Sequence, residues 1–451
     1  MKIPSFLCLA FVLWMCAPSS KSSTTTASSD SVSSDASISD DSLLTLTQYR
    51  TFQYFWDGAE PTSGAARERY HVDNEYPDND KHVVTSGGTG FGVMAILVGI
   101  ERGFITRQQG LERLTHFVGW LEKADRFHGV WPHWWDGETG KVKPFGKKDN
   151  GGDLVESSFL LQGLLCVREY FKNGNDAEKS LASRIDKLWK EVEFDWHRKN
   201  NQNVLYWHWS PEYQWEMNFP VEGYNECLIM YVLAAASPTH GIPAEVYHEG
   251  WARKGGMKND PSHQQYGYHL DLKHNGAQQY GGPLFWSHYS FLGLDPRNLK
   301  DQYADYWTHN RNHTLINRQY CIENPKGYRG YGEHSWGLTA SYSTKFYAAH
   351  SPTEDVGVIT PTAALSSFPY TPEESMQALR HFYSLRGKLL GPYGFYDAFS
   401  EHHDWYIQRY LAIDQGPIVV MIENHRSGLL WKLFMSAPEV QQGLKKLGFT
   451  Y

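Results

Sequence analysis

The pattern that most constrains this chain is a repeated change of hydrophobic period. Leu154–Phe171 is almost continuously apolar, whereas Asp176–Trp196 carries charges along one side and apolar residues along the other. The contrast recurs between Phe91–Ile100 and the amphipathic Thr106–Ala124, and between Cys227–Ala236 and the mixed Pro243–Arg253. Pro417–Ile422 is apolar again. A helix that is apolar all round must be enclosed, and one with a single apolar face lies on a surface. Their alternation predicts two concentric layers: an all-α toroid whose inner helices form a barrel and whose outer helices wrap it. A stack of helical repeats is the alternative, and no fixed-period motif supports it. The long loops rich in Gly, Pro and aromatics, such as His128–Gly152, Asn201–Gly223 and Lys254–Pro283, are where a toroid would carry a cleft.

The N-terminus reads as an address. Lys2 precedes the apolar run Phe6–Cys16, which has secretory length and is short for a bilayer span, and Ala17 and Ser19 suit cleavage. Leu13-Trp14-Met15-Cys16 resembles a lipoprotein signal, but bulky Met15 stands where that signal wants a small residue. Plain export, periplasmic or extracellular, is therefore the expectation, and a lipid anchor at Cys16 is the less favoured alternative. The expected division is a signal over 1–19, a Ser/Thr-rich linker without core-forming residues over 20–42, and one catalytic-size domain over 43–451. The formal net charge of −8 is spread along the chain, which argues against nucleic acid as partner. Of five cysteines, two lie in the signal; Cys166, Cys227 and Cys321 are too widely spaced for a disulfide framework or zinc site and read as free thiols.

Function is most legible in Leu205–Gly241. LYWHWSPEYQW packs three Trp and two Tyr into its start, and Glu216, Glu222 and Glu226 follow. Glu226 opens the apolar run Cys227–Ala236. Flat rings stack on pyranose faces and carboxylates move the protons of glycosidic cleavage, so the combination suits sugar chemistry. The bland reading is a core helix capped by Asn225 with tryptophans that fill space. Asp153 and Glu156 in GGDLVESSF stand three apart at a helix start, and Asp149 adds a third acid. A capping box accounts for the pair as well as function does. Asp414 in YLAIDQGPIVV precedes Gly416-Pro417, which signals a helix start. In a toroid the mouths of inner helices converge at one end, which would bring Asp153, Glu226 and Asp414 together.

Other features carry less. Asp397, Glu333 and Glu401 read as solvated or bracing loop acids. Gly87–Gly92, GGTGFG, lacks the dinucleotide spacing and a βαβ setting, and reads as a tight approach into a helix. His402-His403-Asp404 has no partners at ligand spacing, so no metal and no organic cofactor is expected.

The stretches TFQYFWDGAEPTSGAARER, GGDLVESSFLLQGLL, WHWSPEYQWEMNF, GYNECLIMYVLAAASPTHGIP, WSHYSFLGLDPR, HSWGLTASY, GPYGFYDAF and AIDQGPIVVMIEN resemble the glucoamylase-like domain of glycoside hydrolase family 144, which contains bacterial endo-β-1,2-glucanases. The resemblance runs from about Leu44 to the C-terminus. It implies an (α/α)6 barrel with its substrate cleft at one end, hydrolysis with inversion, and acidic site residues at Asp149, Asp153, Glu156, Glu226 and Asp414. Glu222, close to Glu226, is a competing acid. Trp215, Trp286 and Trp336 are the candidate sugar platforms. The reading is an exported inverting hydrolase of β-1,2-glucan, with a glucan as its partner and no membrane span. A non-catalytic glucan-binding protein, or an enzyme for another linkage, is the alternative.

Overall fold

A computed structural model describes residues 38–451, except Gln278 and the side chains of residues 78 and 79. The signal expected over 1–19 lies outside the described residues, as does the linker up to residue 37. The folded unit begins at Asp40, inside the expected linker. Asp40 and Asp41 fill the first turn of the first helix, where acidic side chains favour the helix dipole, and Asp41 pairs with Arg426 at 2.5 Å.

Outer and inner segments alternate along the chain. On the outside, helix α1 (Asp40–Trp56) packs on α2 (Ser86–Glu101), α3 (Arg107–Leu121) also packs on α2, and α5 (Asp176–Lys190) packs on α4 (Leu154–Phe171), with α6 (Leu228–Ala236) the next inner helix. At the fourth position the outer segment is the π-helical Val246–Trp251 and the inner one is a pair of 3-10 turns, Leu284–Ser287 and Tyr289–Phe291. Helix α7 (Tyr306–Glu323) packs on the first of these turns, and the short inner helix α8 (Pro361–Leu365) follows. Helix α9 (Pro372–Ser384), followed by the single-turn α10 (Arg386–Leu389), precedes the inner α11 (Ala412–Arg426). Helices α12 (Leu429–Met435) and α13 (Pro438–Lys446) end the chain.

The inner segments form a closed ring. α2 packs on α4, α4 on α6, α6 on the 3-10 turns, and α8 and α2 on α11. The remaining gap is bridged by His288 Nε2 to Ser367 Oγ (3.0 Å) and by Tyr370 Oη donating to the Ser287 carbonyl (2.9 Å). This is the expected (α/α)6 barrel. Every residue of α6 and all but one of α4 are buried, whereas α5 buries a single face.

Two helix starts differ from the sequence reading. α2 begins at Ser86, so Gly87–Gly92 is helical rather than a lead-in. Its glycines serve contact: a Cβ at Gly90 would lie 2.2 Å from the Phe159 carbonyl oxygen, and one at Gly163 2.1 Å from that of Gly90. α2 and α4 therefore meet backbone to backbone, which no larger residue permits. α11 begins at Ala412, five residues before Pro417. Asp414 thus belongs to the first helical turn and does not precede it. Cys166, Cys227 and Cys321 are buried free thiols.

Candidate active site

The first acid group is built where α4 begins. Gly152–Asp153 pairs antiparallel with His208–Trp209, setting Asp153 opposite His208. Asp153 caps α4, its Oδ1 accepting from the Glu156 amide at 2.9 Å. Glu156 does not complete a capping box. Its Oε2 accepts instead from the Gly87 amide on α2, at 3.0 Å. The cap thus explains Asp153 and leaves Glu156 turned toward the neighbouring inner helix. Asp153 Oδ2 lies 3.2 Å from His133 Nδ1 and 3.8 Å from His208 Nε2, and Asp149 Oδ2 lies 3.5 Å from that same nitrogen.

These groups divide one charge problem among them. Burial raises the Asp149 carboxyl, the neighbouring Asp153 raises it further, and it reaches about 7. Burial and then the charge of Asp153, against the opposing pull of His133, bring Glu156 to about 7. Burial works on Asp153 too, but the bond from His133 and the nearby His208 outweigh it and hold that carboxyl below its ordinary value. His133 is the counter-charge: against burial, Glu156, Asp153 and Asp149 lift its imidazole to about 9. Phe145, 54% exposed, stacks on the His133 ring at 4.3 Å, so the group lies beneath an open aromatic rim.

Glu226 lines a neighbouring cleft of about 680 Å³, together with Trp207, Phe219, Glu222, Arg253 and Trp286. Burial raises its carboxyl to about 7, and the charges of Glu156 and Asp153 add to the rise. A helix N-terminus would favour the ionised form. Here the N-cap is Cys227, and Glu226 stands before the first turn. Asn225 Oδ1 takes the Cys227 amide at 3.0 Å, and Ser290 Oγ holds the Glu226 carbonyl. Glu222 is different in kind: its side chain is 43% exposed and pairs with Arg253 at 3.4 Å.

Asp414, in the first turn of α11, is 1% exposed, and neither carboxylate oxygen meets a hydrogen-bond donor. The buried hydroxyl of Tyr289, from the 3-10 turns, lies within electrostatic reach of Asp414, Glu156 and Glu226 at once. The charges of α11, of α4 and of the approach to α6 are therefore all felt at one tyrosine.

The aromatic expectations separate. Trp286 lines the cleft. Trp215 packs against Trp196, His197 and Tyr206, with ring centroids 5.6–6.3 Å apart, and is not a cleft-lining residue. Trp336 is fully buried and presents no face to a ligand, which corrects its reading as a platform. Trp207, with Phe219 stacked on it at 5.4 Å, lines the cleft where Trp215 does not. Sequence reasoning also passed over His133, His208 and Phe145. The signal for the histidines was their repeated place beside tryptophan, in PHWW and YWHW. Asp397, read as a loop acid, is 2% exposed and meets Asp414. Glu333 is exposed, and Glu401 bonds His381 at 3.1 Å. Among the described residues, His133, Asp149 and Asp153 are the group of ligand-type side chains close enough to hold a metal, their atoms within 4.8 Å of one another. The His133 imidazolium already supplies positive charge there.

The Glycoamylase family model matches residues 218–438. The structure of an endo-β-1,2-glucanase from Chitinophaga pinensis, in complex with sophorotriose and glucose, is 72% identical and superposes with a TM-score of 0.91 over 92% of this chain and 99% of that one. The chain belongs to glycoside hydrolase family 144. Another family 144 relative, the exo β-1,2-glucooligosaccharide sophorohydrolase (non-reducing end) of Parabacteroides distasonis, is 46% identical over 430 residues. This chain spans 58% of that protein's length. An endo-β-1,2-glucanase from Talaromyces funiculosus, 11% identical with a TM-score of 0.66, shares the fold.

Proposed function

We propose that this chain is an exported hydrolase that cleaves linear β-1,2-glucan internally, with inversion, releasing short oligosaccharides. The observation that carries the reading is Glu226: a carboxyl held near neutrality in the wall of a cleft, beside Trp286, within the field of ionised Asp153. In this reading Glu226 gives its proton to the leaving glycosidic oxygen while water attacks the anomeric carbon from the opposite face. The proton lost by water passes to a carboxylate, directly or through bridging waters. Asp153 is the most firmly ionised, but the Glu156 amide, His133 and His208 occupy its oxygens. Its role is to fix charge and to keep His133 protonated. Glu156, in its ionised form, and Asp414 together with the neighbouring Asp397 are the acceptors this arrangement favours. Trp207, Phe219 and Trp286 offer the apolar faces that sugar rings stack upon. Export rests on Lys2 and the apolar run Phe6–Cys16.

Internal cleavage is supported by the near-complete coverage of the Chitinophaga endo-acting relative. The Parabacteroides relative favours a second reading, release of sophorose from the non-reducing end, although much of that protein has no counterpart here. Product analysis on a panel of linear glucans of defined linkage separates the two. A mixture of lengths early in the reaction, with anomeric NMR showing the inverted configuration first, is the expected result. Sophorose alone from the first minutes supports the exo reading. Comparable release from starch refutes the substrate, and binding without any product makes the chain a glucan-binding protein.

A further inference from the structure

The chemistry above names Asp397 only as a neighbour of Asp414, yet its surroundings are specific. Its backbone amide is tied to the Arg409 carbonyl at 3.0 Å, and its Oδ2 accepts from the Tyr342 amide at 2.8 Å. Tyr342 begins the tip of a hairpin whose strands, Ala340–Ser341 and Ala348–Ala349, are antiparallel, and Ala349 lines the cleft. The other oxygen of Asp397 is buried without a donor, as are both oxygens of Asp414, and the two side chains meet.

Ionised carboxylates only accept hydrogen bonds. Two of them in contact inside the protein would repel unless a cation or a proton lay between them. Among the described residues, the groups that act on the pair supply no such cation. Glu68 is acidic and engages Arg69; Tyr289 and Tyr347 are neutral phenols; Arg409 lies 5.7 Å from the centre of the Tyr342 ring. One proton therefore converts the contact into an O–H···O bond. The Tyr342 amide decides where it rests, because an N–H donor favours the charged form of Asp397 and Asp414 has none.

We propose that Asp397 is a positioning residue for Asp414: the two carboxyls share one proton, Asp397 remains ionised, and the proton is held on Asp414 until the reaction draws on the pair. Holding one proton between two carboxyls, the pair can take up one more. When water attacks, its O–H bond breaks, its oxygen bonds the anomeric carbon, and the released proton is received by the pair, while the proton of Glu226 goes to the departing oxygen. The charge lost at the pair is gained at Glu226. This rests on the reading of Asp414 as a member of the site.

The test uses the full chain and infrared difference spectroscopy at about pH 8, roughly one unit above the carboxyls that titrate near neutrality. The wild type is expected to retain a protonated-carboxyl band that Asp397→Asn abolishes, because the new amide donates to Asp414 and lets it ionise. Asp397→Asn should also lower kcat by roughly tenfold or more, leave KM near wild type, and move the pH limb that belongs to Asp414 toward acid by about one unit or more. Loss of packing alone would leave that limb in place. A band that persists in folded Asp397→Asn, or an unmoved pH profile, overturns the proposal. Should Asp397→Asn not fold, Asp414→Asn decides by the same spectrum, since Asp397 left with the Tyr342 amide should ionise and the band should vanish. Wild-type turnover in Asp414→Asn refutes the membership of Asp414 in the site, a failure that turnover reports and the spectrum does not.

Discussion

Replacing Glu226 by Gln tests the acid assignment and yields two numbers of opposite sense. Gln keeps the shape and cannot give up an acid proton. With a carboxyl titrating at about 7, wild-type Glu226 is about nine-tenths protonated at pH 6 and about one-tenth at pH 8, so its turnover should fall close to tenfold per unit on the alkaline side. General-acid assistance is worth roughly a hundredfold to ten-thousandfold, and Glu226→Gln should lose that much at pH 6. Stability should move the other way. The carboxyl is raised in the folded state from 4.5 to about 7, so the unfolded chain ionises first, and the residue costs stability that grows as pH rises through that window. At pH 8 the full cost is at most about 3 kcal/mol. Glu226→Gln removes it, so the variant should melt above the wild type at pH 8 and close to it at pH 4. Turnover on β-1,2-glucan and thermal melts at these pH values are sufficient. Near-normal turnover would remove Glu226 from the mechanism, and a variant that melts lower at pH 8 would show that burial does not hold the carboxyl protonated.

Glu222→Gln should keep most of its turnover, because that exposed side chain pairs with Arg253 at 3.4 Å; a dead Glu222→Gln beside an active Glu226→Gln would transfer the acid role. Prolonged chelation should leave the rate unchanged, with His133 as the counter-charge to Asp149 and Asp153; a loss restored by calcium or zinc would put an ion among those three instead. His197 is fully buried and burial lowers its imidazole from 6.5 to about 4, so the unfolded chain takes up a proton below pH 6.5 that the folded one refuses. The stability this residue lends is present above pH 6.5 and drains away toward pH 4, about 3 kcal/mol in all. His197→Phe should therefore gain on the wild type by that amount between those pH values, and parallel melting curves would refute the assignment.

The barrel was legible because enclosure leaves a local trace. α4 and α6 must be apolar on every side, and α5 on one, so the two layers are written in consecutive residues. The fourth inner position left no such trace. Two short turns fill it, held by buried polar bonds as well as packing: Ser287 Oγ meets His313 Nδ1 of α7 at 2.8 Å, and close by His274 Nε2 meets His309 Nε2 at 2.9 Å. Those partners lie 26 and 35 residues apart and have no periodicity to betray them. The start of α2 was hidden because glycine breaks helices in isolation, whereas Gly90 and Gly163 are there for the closeness of two backbones.

The acids divide along the same line. Asp149, Asp153, Glu156, Glu226 and Asp414 could be singled out because each stands near the mouth of an apolar run. Their protonation states could not, since these depend on His133 and His208, brought in by other loops, and on burial. Asp397 shows the limit most sharply. In YGFYDAF it has the neighbours of any loop acid, and its significance comes from one backbone amide at Tyr342 and one carboxyl at Asp414, 55 and 17 residues away. Sequence can propose which side chains are chemically able to act. Which of them holds a proton at neutral pH is decided by contacts that only the closed ring creates.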